Sequence, residues 1–311
     1  MGDLNYRFSG HESFTCRYAW LPKAVESLTE NPSLFSDIDE AMVQLGLGKN
    51  MVRSLRFWVQ AMRVAESGEG NTLRLTEFGE LVFADDGLDP FMEDVSTLWL
   101  LHWQLCSHKD NPLFAWYFLF NRYNEPEIVR SEVLEAIDRE SKQLSRPLAK
   151  ATLAQHFDVL MHTYMPTRGK KNEILEDNLD CPLVELGLIE RTGEKFKKKD
   201  VYEPVYGFSR VPKADLTMGV FAFAVDDYWK RYKPDEATLS LSELTTGVGS
   251  PGQVFKLPED EVRSRLSNMS DWGEDYEYRE TALFEQLVRV KSDYTTKELT
   301  SYAFEGDFAN V

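Results

Sequence analysis

Apolar residues recur at every third or fourth position along most of this chain, the period of helices buried on one side. Residues 37–45 carry Ile38, Ala41, Met42 and Leu45 in that rhythm. Ser36 is the expected N-cap, and Asp37, Asp39 and Glu40 fall in the first turn, where the helix dipole favours acids. Gly46 and Gly48 interrupt the pattern; glycine ends helices because the left-handed conformation costs it little. The period resumes over 49–62 through Met51, Val52, Leu55, Trp58, Val59 and Met62. Residues 66–71 then read as a hairpin tip, 72–75 alternate as a strand does, and Thr76 caps a short helix over 77–83. Helix, glycine turn, helix, hairpin is the order of a winged helix-turn-helix, whose second helix can enter the major groove.

The same patterning extends outward. Ser9 and Glu12 have capping-box spacing, which predicts a helix from Gly10 with Phe14, Tyr18, Leu21 and Val25 on one face. Residues 89–108 are apolar on nearly every side, capped by Asp89 with Pro90 in the first turn, and predict a central buried helix. The aromatic run 111–122 is either core or a subunit interface. Amphipathic helices follow over 127–142 and 149–164, with a boundary at 143–147. A short helix over 180–189 ends at Gly187, and 188–192 and 201–208 read as strands around a basic connection at 195–199. Residues 217–232 are a helix, or a buried strand leading into one. Short helices over 239–244 and 258–268 and a strand pair over 276–290 suggest a third unit.

The expected fold is therefore mainly α with small β-hairpins: two or three winged-helix-like units packed around central buried helices. The segments are 1–108 (winged helix-turn-helix with flanking helices), 109–147 (helical connector), 148–235 (second unit), 236–291 (possible third unit) and 292–311 (a loose tail).

Charge sharpens this picture. The chain has net charge −17, yet no acidic residue lies between Gly46 and Arg63. Lys49, Asn50, Arg53, Arg56 and Gln60 occupy the outer face of that second helix, and Arg63 follows it. They are the candidates for meeting a duplex. Lys195, Lys197, Lys198 and Lys199 are the candidates for holding phosphates, although a charge run can equally be a solvated loop. The acidic whole argues against non-specific coating of nucleic acid and favours docking of a basic protein partner. No apolar run reaches membrane-spanning length, the start has no signal-peptide core, and three scattered cysteines point to reduced thiols; the expected setting is cytoplasmic.

Catalytic chemistry has little footing. No nucleophile triad motif, phosphate loop, H-E-x-x-H or paired C-x-x-C is present. His11 and Glu12 are adjacent, so they would not face each other on a helix. His102 and Cys106 are four apart and could share a metal, but a zinc site would be incomplete; a hydrogen-bonded core histidine is the better reading. His156 and His162, six apart, fall on opposite sides of a helix. Gly247, Gly249 and Gly252 spell G-x-G-x-x-G, but a helical segment precedes them and Pro251 interrupts them. No cofactor, metal or enzymatic activity is expected. A metal-dependent nuclease remains the weaker alternative, because convergence of carboxylates is not legible in sequence.

The stretches FSGHESFTCRYAWLPKA, LGLGKNMVRSLRFWVQA, LTEFGELVF and DPFMEDVSTLWLLHWQL together resemble an uncharacterised prokaryotic family known as domain of unknown function 4007. The resemblance covers most of the chain and is strongest over 8–105. It implies no established reaction. Members tend to accompany genes for sulfur-based DNA backbone modification (phosphorothioation) and related phage-defence or restriction-modification systems. The acid-free second helix, placed in that setting, leads to the expectation of a non-enzymatic DNA-binding accessory protein acting with a protein partner. The alternative is a docking scaffold for a modification enzyme or ATPase in such a system.

Overall fold

The computed structural model describes residues 6–143, 148–166, 181–198, 201–272, 276–281, 283–290 and 295–304. It is a helix-rich mixed α/β chain with small antiparallel sheets, in which a run of helices leading to a β-hairpin occurs three times. The first pass is α1 (Trp20–Glu30), a 3-10 turn (Leu34–Ser36), α2 (Ile38–Leu45), α3 (Lys49–Ala61) and the hairpin β1 (Ala65–Ser67) and β2 (Leu73–Leu75). Two helices, α4 (Glu77–Phe83) and α5 (Val95–Cys106), lead to the second pass. That pass is α6 (Phe114–Asn121), β3 (Ile128–Val129), α7 (Arg130–Ser141), α8 (Lys150–Tyr164), a 3-10 helix (Pro182–Leu186) and the hairpin β4 (Ile189–Lys198) and β5 (Val201–Phe208). The third is α9 (Met218–Tyr232), β6 (Thr238–Ser240), α10 (Leu241–Thr246), α11 (Pro251–Val254), α12 (Glu259–Trp272) and the hairpin β7 (Tyr276–Glu280) and β8 (Glu285–Arg289). A last helix, α13 (Thr296–Phe304), follows. In the second and third passes the early strand pairs with the last one, giving antiparallel sheets ordered β3-β5-β4 and β6-β8-β7.

Local chemistry explains the first pass. Asp37, rather than Ser36, caps α2: its carboxylate accepts the N–H groups of Asp39 and Glu40. Gly46 ends α2 at φ 64°, the left-handed conformation that glycine adopts without a Cβ penalty. Thr76 caps α4 as expected.

Helices α5 and α6 are the centre. Every residue of α6 is buried, and in α5 all but Val95. The aromatic run 111–122 is therefore core. Helix α5 starts later than the sequence suggested, with Asp94 as its N-cap. Asp89 instead accepts the N–H groups of Glu93 and Asp94 and the Thr97 hydroxyl, folding a turn ahead of the helix. One apolar cluster runs from Cys16 to Ala303 and draws residues from all three passes.

Three expectations are corrected. No helix starts at Gly10: Gly10 (φ 117°), Glu12 (φ 49°) and Ser13 (φ 66°) take left-handed conformations, and the Phe14 carbonyl accepts the Trp58 indole N–H at 3.0 Å. Tertiary contacts thus override the capping-box spacing. Residues 195–198 lie within β4 rather than in a connecting loop. The span 292–311 is not wholly a tail: α13 packs on α9 and α4, with Thr300 and Ala303 fully buried. The boundary expected at 143–147 lies, from 144 on, outside the described residues.

Candidate nucleic-acid interface

Helix α3 buries Val52, Leu55, Phe57, Trp58 and Val59 on one side. Lys49, Arg53, Arg56 and Gln60 are spaced i, i+4, i+7, i+11, so they form one stripe along the other. The stripe divides in two. Lys49, Asn50 and Arg53, on its N-terminal half, are exposed, and among the described residues none of them has an ion-pair or hydrogen-bond partner. Arg56 and Gln60 are half-buried and committed to the chain itself. Arg56 donates to the Phe35 carbonyl at 3.1 Å and to Asn71 Oδ1 at 2.7 Å, and Gln60 donates to Ser67 Oγ at 3.1 Å. Asn71 stands between β1 and β2, so these bonds fix the hairpin against the helix. Arg63 leaves the stripe: it lies past the helix end at φ 59° and donates to the Asp110 carbonyl at 2.7 Å.

The second candidate group is arranged differently. Lys195 Nζ is 2.7 Å from Glu132 and 3.4 Å from Glu127, and Lys197 Nζ is 2.7 Å from Glu203. Their charges are met by carboxylates of the same chain. The backbone of Lys198 is in β4, but its side chain, and all of Lys199, lie outside the described residues.

The last α-helices before the hairpins in the other passes carry fewer open cations. In α8 the only lysine or arginine is Lys150, and Asp158 holds Arg130 through two bonds of 2.9 and 2.8 Å. Helix α12 opens with Glu259, Asp260 and Glu261. Its Arg263 is bound to Glu259, Asp260 and Glu285, and its Arg265 to Glu261. Helix α3 presents two unpaired positive side chains to solvent, Lys49 and Arg53, against Lys150 alone on α8 and none of the described arginines on α12.

The family model for the protein of unknown function DUF4007 matches residues 8–302. The chain belongs to this family. Two solved structures resemble the DUF4007 chain over nearly its whole length: a crystal structure of SspB and one of magnesium ion-bound SspB. Each is 25% identical, with a TM-score of 0.82 over 96% of this chain and 86% of the other. No curated protein matches the chain.

The remaining constellations of the DUF4007 chain are structural. His102 Nδ1 is 2.8 Å from the Tyr164 hydroxyl and Nε2 is 3.0 Å from the Val254 carbonyl, among Trp99, Phe120 and Phe255. Burial lowers its pKa to about 3 and pushes the neighbouring Cys106 thiol up, so both are neutral. His156 is buried and His162 exposed, on opposite sides of α8 as expected. Gly252 packs where a Cβ would come within 2.6 Å of the Thr245 backbone, and Gly249 lies against the Tyr232 ring; these glycines serve close packing, with α10 rather than a strand before them. Among the described residues no three His, Cys, Asp or Glu side chains gather where a metal ion would fit. Also among the described residues, no helix is long and apolar enough to cross a membrane.

Proposed function

We propose that this protein is a non-enzymatic DNA-binding accessory factor whose residues 20–75 form a winged helix with α3 facing duplex DNA. The order α1, α2, α3, β1, β2 supports this reading, as does the pairing of first and last strands in the other two passes, the arrangement a winged helix has. The observation that carries it is the exposed, unpaired Lys49–Asn50–Arg53 corner of α3 in a chain of net charge −17. Two positive charges left open side by side on one helix suit a polyanion. The setting is the one that the family resemblance implies, a prokaryotic DNA modification system of the phosphorothioation type or a phage-defence system, with cytoplasmic partners.

A mobility-shift assay at low salt tests this with the pair Lys49→Glu and Arg53→Glu. Both side chains are solvent-facing, so folding should persist, and duplex binding should be lost. Unchanged affinity removes the reading.

The second reading, a docking scaffold for a modification enzyme or ATPase, draws on the other two hairpins. Phe196 and Tyr202 are exposed on the β4–β5 hairpin, and Leu283 and Phe284 between β7 and β8. Apolar hairpin tips suit a protein surface better than a phosphate backbone. A pull-down combined with a salt titration separates the two: DNA binding that needs the partner and has no salt slope from α3 supports the scaffold. The magnesium ion of one SspB structure bears on the weaker nuclease reading. The described residues bring together no ligand set for such an ion, so no metal-dependent step is assigned to them.

A further inference from the structure

Arg7 and Arg63 line one small cavity at the far end of the α3 stripe, together with Gln60, Gln104, Asn111 and Leu113. Arg7 reaches it from outside the first pass. Its backbone is clipped to the turn before α6, with its N–H on the Pro112 carbonyl at 2.9 Å and its own carbonyl taking the Phe114 N–H at 3.0 Å. Its guanidinium lies over the Phe57 ring, 4.7 Å from the centroid. Among the described residues no oxygen accepts from it. Arg63 is aimed toward the same place by its left-handed backbone and has a single neutral acceptor, the Asp110 carbonyl.

Some partly buried arginines have a carboxylate: Arg231 has Asp227 at 2.7 Å, Arg265 has Glu261 at 2.8 Å, and Arg122 is bound to Glu140. Arg56 has neutral acceptors instead; what marks Arg7 and Arg63 is that the two line one cavity together. Asp110 and Glu66 favour the charge on Arg63 from a distance, but neither forms an ion pair with it. Burial disfavours both charges, Arg63 disfavours that of Arg7, and Arg231 that of Arg63. Two crowded, desolvated guanidiniums without a carboxylate are what an arriving oxyanion would neutralise. The cavity, about 10 Å³, holds roughly one oxygen atom. It therefore suits one oxygen of a group that otherwise remains outside.

We propose that Arg7 and Arg63 form a one-phosphate site, with Gln60 joining it to the α3 stripe. Arg63 is ten residues from Arg53, roughly 15 Å along the helix direction, a distance that separate phosphates of one backbone can span. The pocket stands on its own geometry; only the assignment of its phosphate to a duplex rests on the DNA-binding reading above.

The test uses the full chain, with Arg7→Gln, Arg63→Gln and the charge-preserving Arg7→Lys, each checked by circular dichroism. Inorganic phosphate is exchanged for chloride at constant ionic strength while the thermal midpoint is followed, and duplex affinity is measured against salt. The parent should gain a phosphate-dependent rise in midpoint. Either glutamine variant should lose it and lower the salt slope by about one, and Arg7→Lys should retain part of both. If Arg7→Gln fails to fold, Arg63→Gln decides the matter. A phosphate response without duplex binding keeps the pocket, assigns it to a small phosphorylated ligand and defeats the duplex reading. Duplex binding with neither glutamine variant altering the phosphate response or the slope removes the pocket and leaves α3 in place.

Discussion

His11 Nε2 lies 3.0 Å from His156 Nδ1, with the two rings stacked and both side chains buried. The pair ties the N-terminal segment to α8. Phe57 meets the His11 ring edge-on and Trp116 the His156 ring, while His156 Nε2 has no hydrogen-bond partner. In such surroundings neither imidazole takes up a proton readily. Burial lowers the pKa of His11 to about 4 and that of His156 well below its usual value.

A pH dependence of stability follows from these groups together with His102 and His108, whose pKa values burial also lowers. The unfolded chain binds protons at these histidines near pH 6.5, and the folded chain does so only at about 4 or below for His11. Between those values the unfolded state holds more protons, so stability falls as pH drops. The limit is about 1.4 kcal/mol per pH unit per histidine. Urea unfolding at pH 7, 6 and 5 should show a falling midpoint. A midpoint flat from pH 7 to 5 would mean that these imidazoles protonate freely in the folded protein.

Arg53 and Arg56 should separate binding from folding. Arg53 is open to solvent, whereas Arg56 joins the Phe35 carbonyl to Asn71. Arg56→Ala should cost about 1–3 kcal/mol by leaving those oxygens without their donor. Arg53→Ala should change stability by less than about 0.5 kcal/mol while weakening duplex binding. Equal destabilisation by both substitutions would contradict the division of the stripe.

The sequence reached these elements unevenly, for a physical reason. Helices α2 and α3 were legible because their signals are local: an apolar period, acids in a first turn, and Gly46 taking a left-handed bend. The open corner at Lys49 and Arg53 was legible too, since charge without neighbouring acid can be counted along a helix. The hold of Arg56 on Asn71 was not, because it depends on how the hairpin folds back. The segment before α1 misled for the same reason: Ser9 and Glu12 have cap spacing, but the Trp58 indole holds the chain at Phe14. Arg7 carried no signal at all, as its position depends on pairing with residues more than a hundred places away.

The β4–β5 lysines should matter less for DNA than their number suggests. Lys195 is bound to Glu132 and Glu127, and Lys197 to Glu203, which also accepts the Ser131 hydroxyl. A phosphate would have to displace carboxylates already in place. Lys195→Ala with Lys197→Ala should alter the salt slope of duplex binding by less than about one unit. A fall of two or more units would place this hairpin on the backbone after all.

Helix α13 offers the sharpest packing test, because its contact with α9 depends on a missing side chain. A Cβ on Gly219 would lie 1.9 Å from the Tyr302 carbonyl oxygen, and Thr217 Oγ1 donates to the Ala303 carbonyl at 3.1 Å beside it. Backbone meets backbone here, so no side-chain rotation relieves the clash. Gly219→Ala therefore requires α13 to shift or detach, although alanine is the better helix former by about 1 kcal/mol. The expected net cost is about 1–3 kcal/mol, with faster hydrogen exchange in 296–304 than in α3. If propensity won instead, the variant would be more stable than the parent and α13 would exchange no faster, which is incompatible with so close an approach.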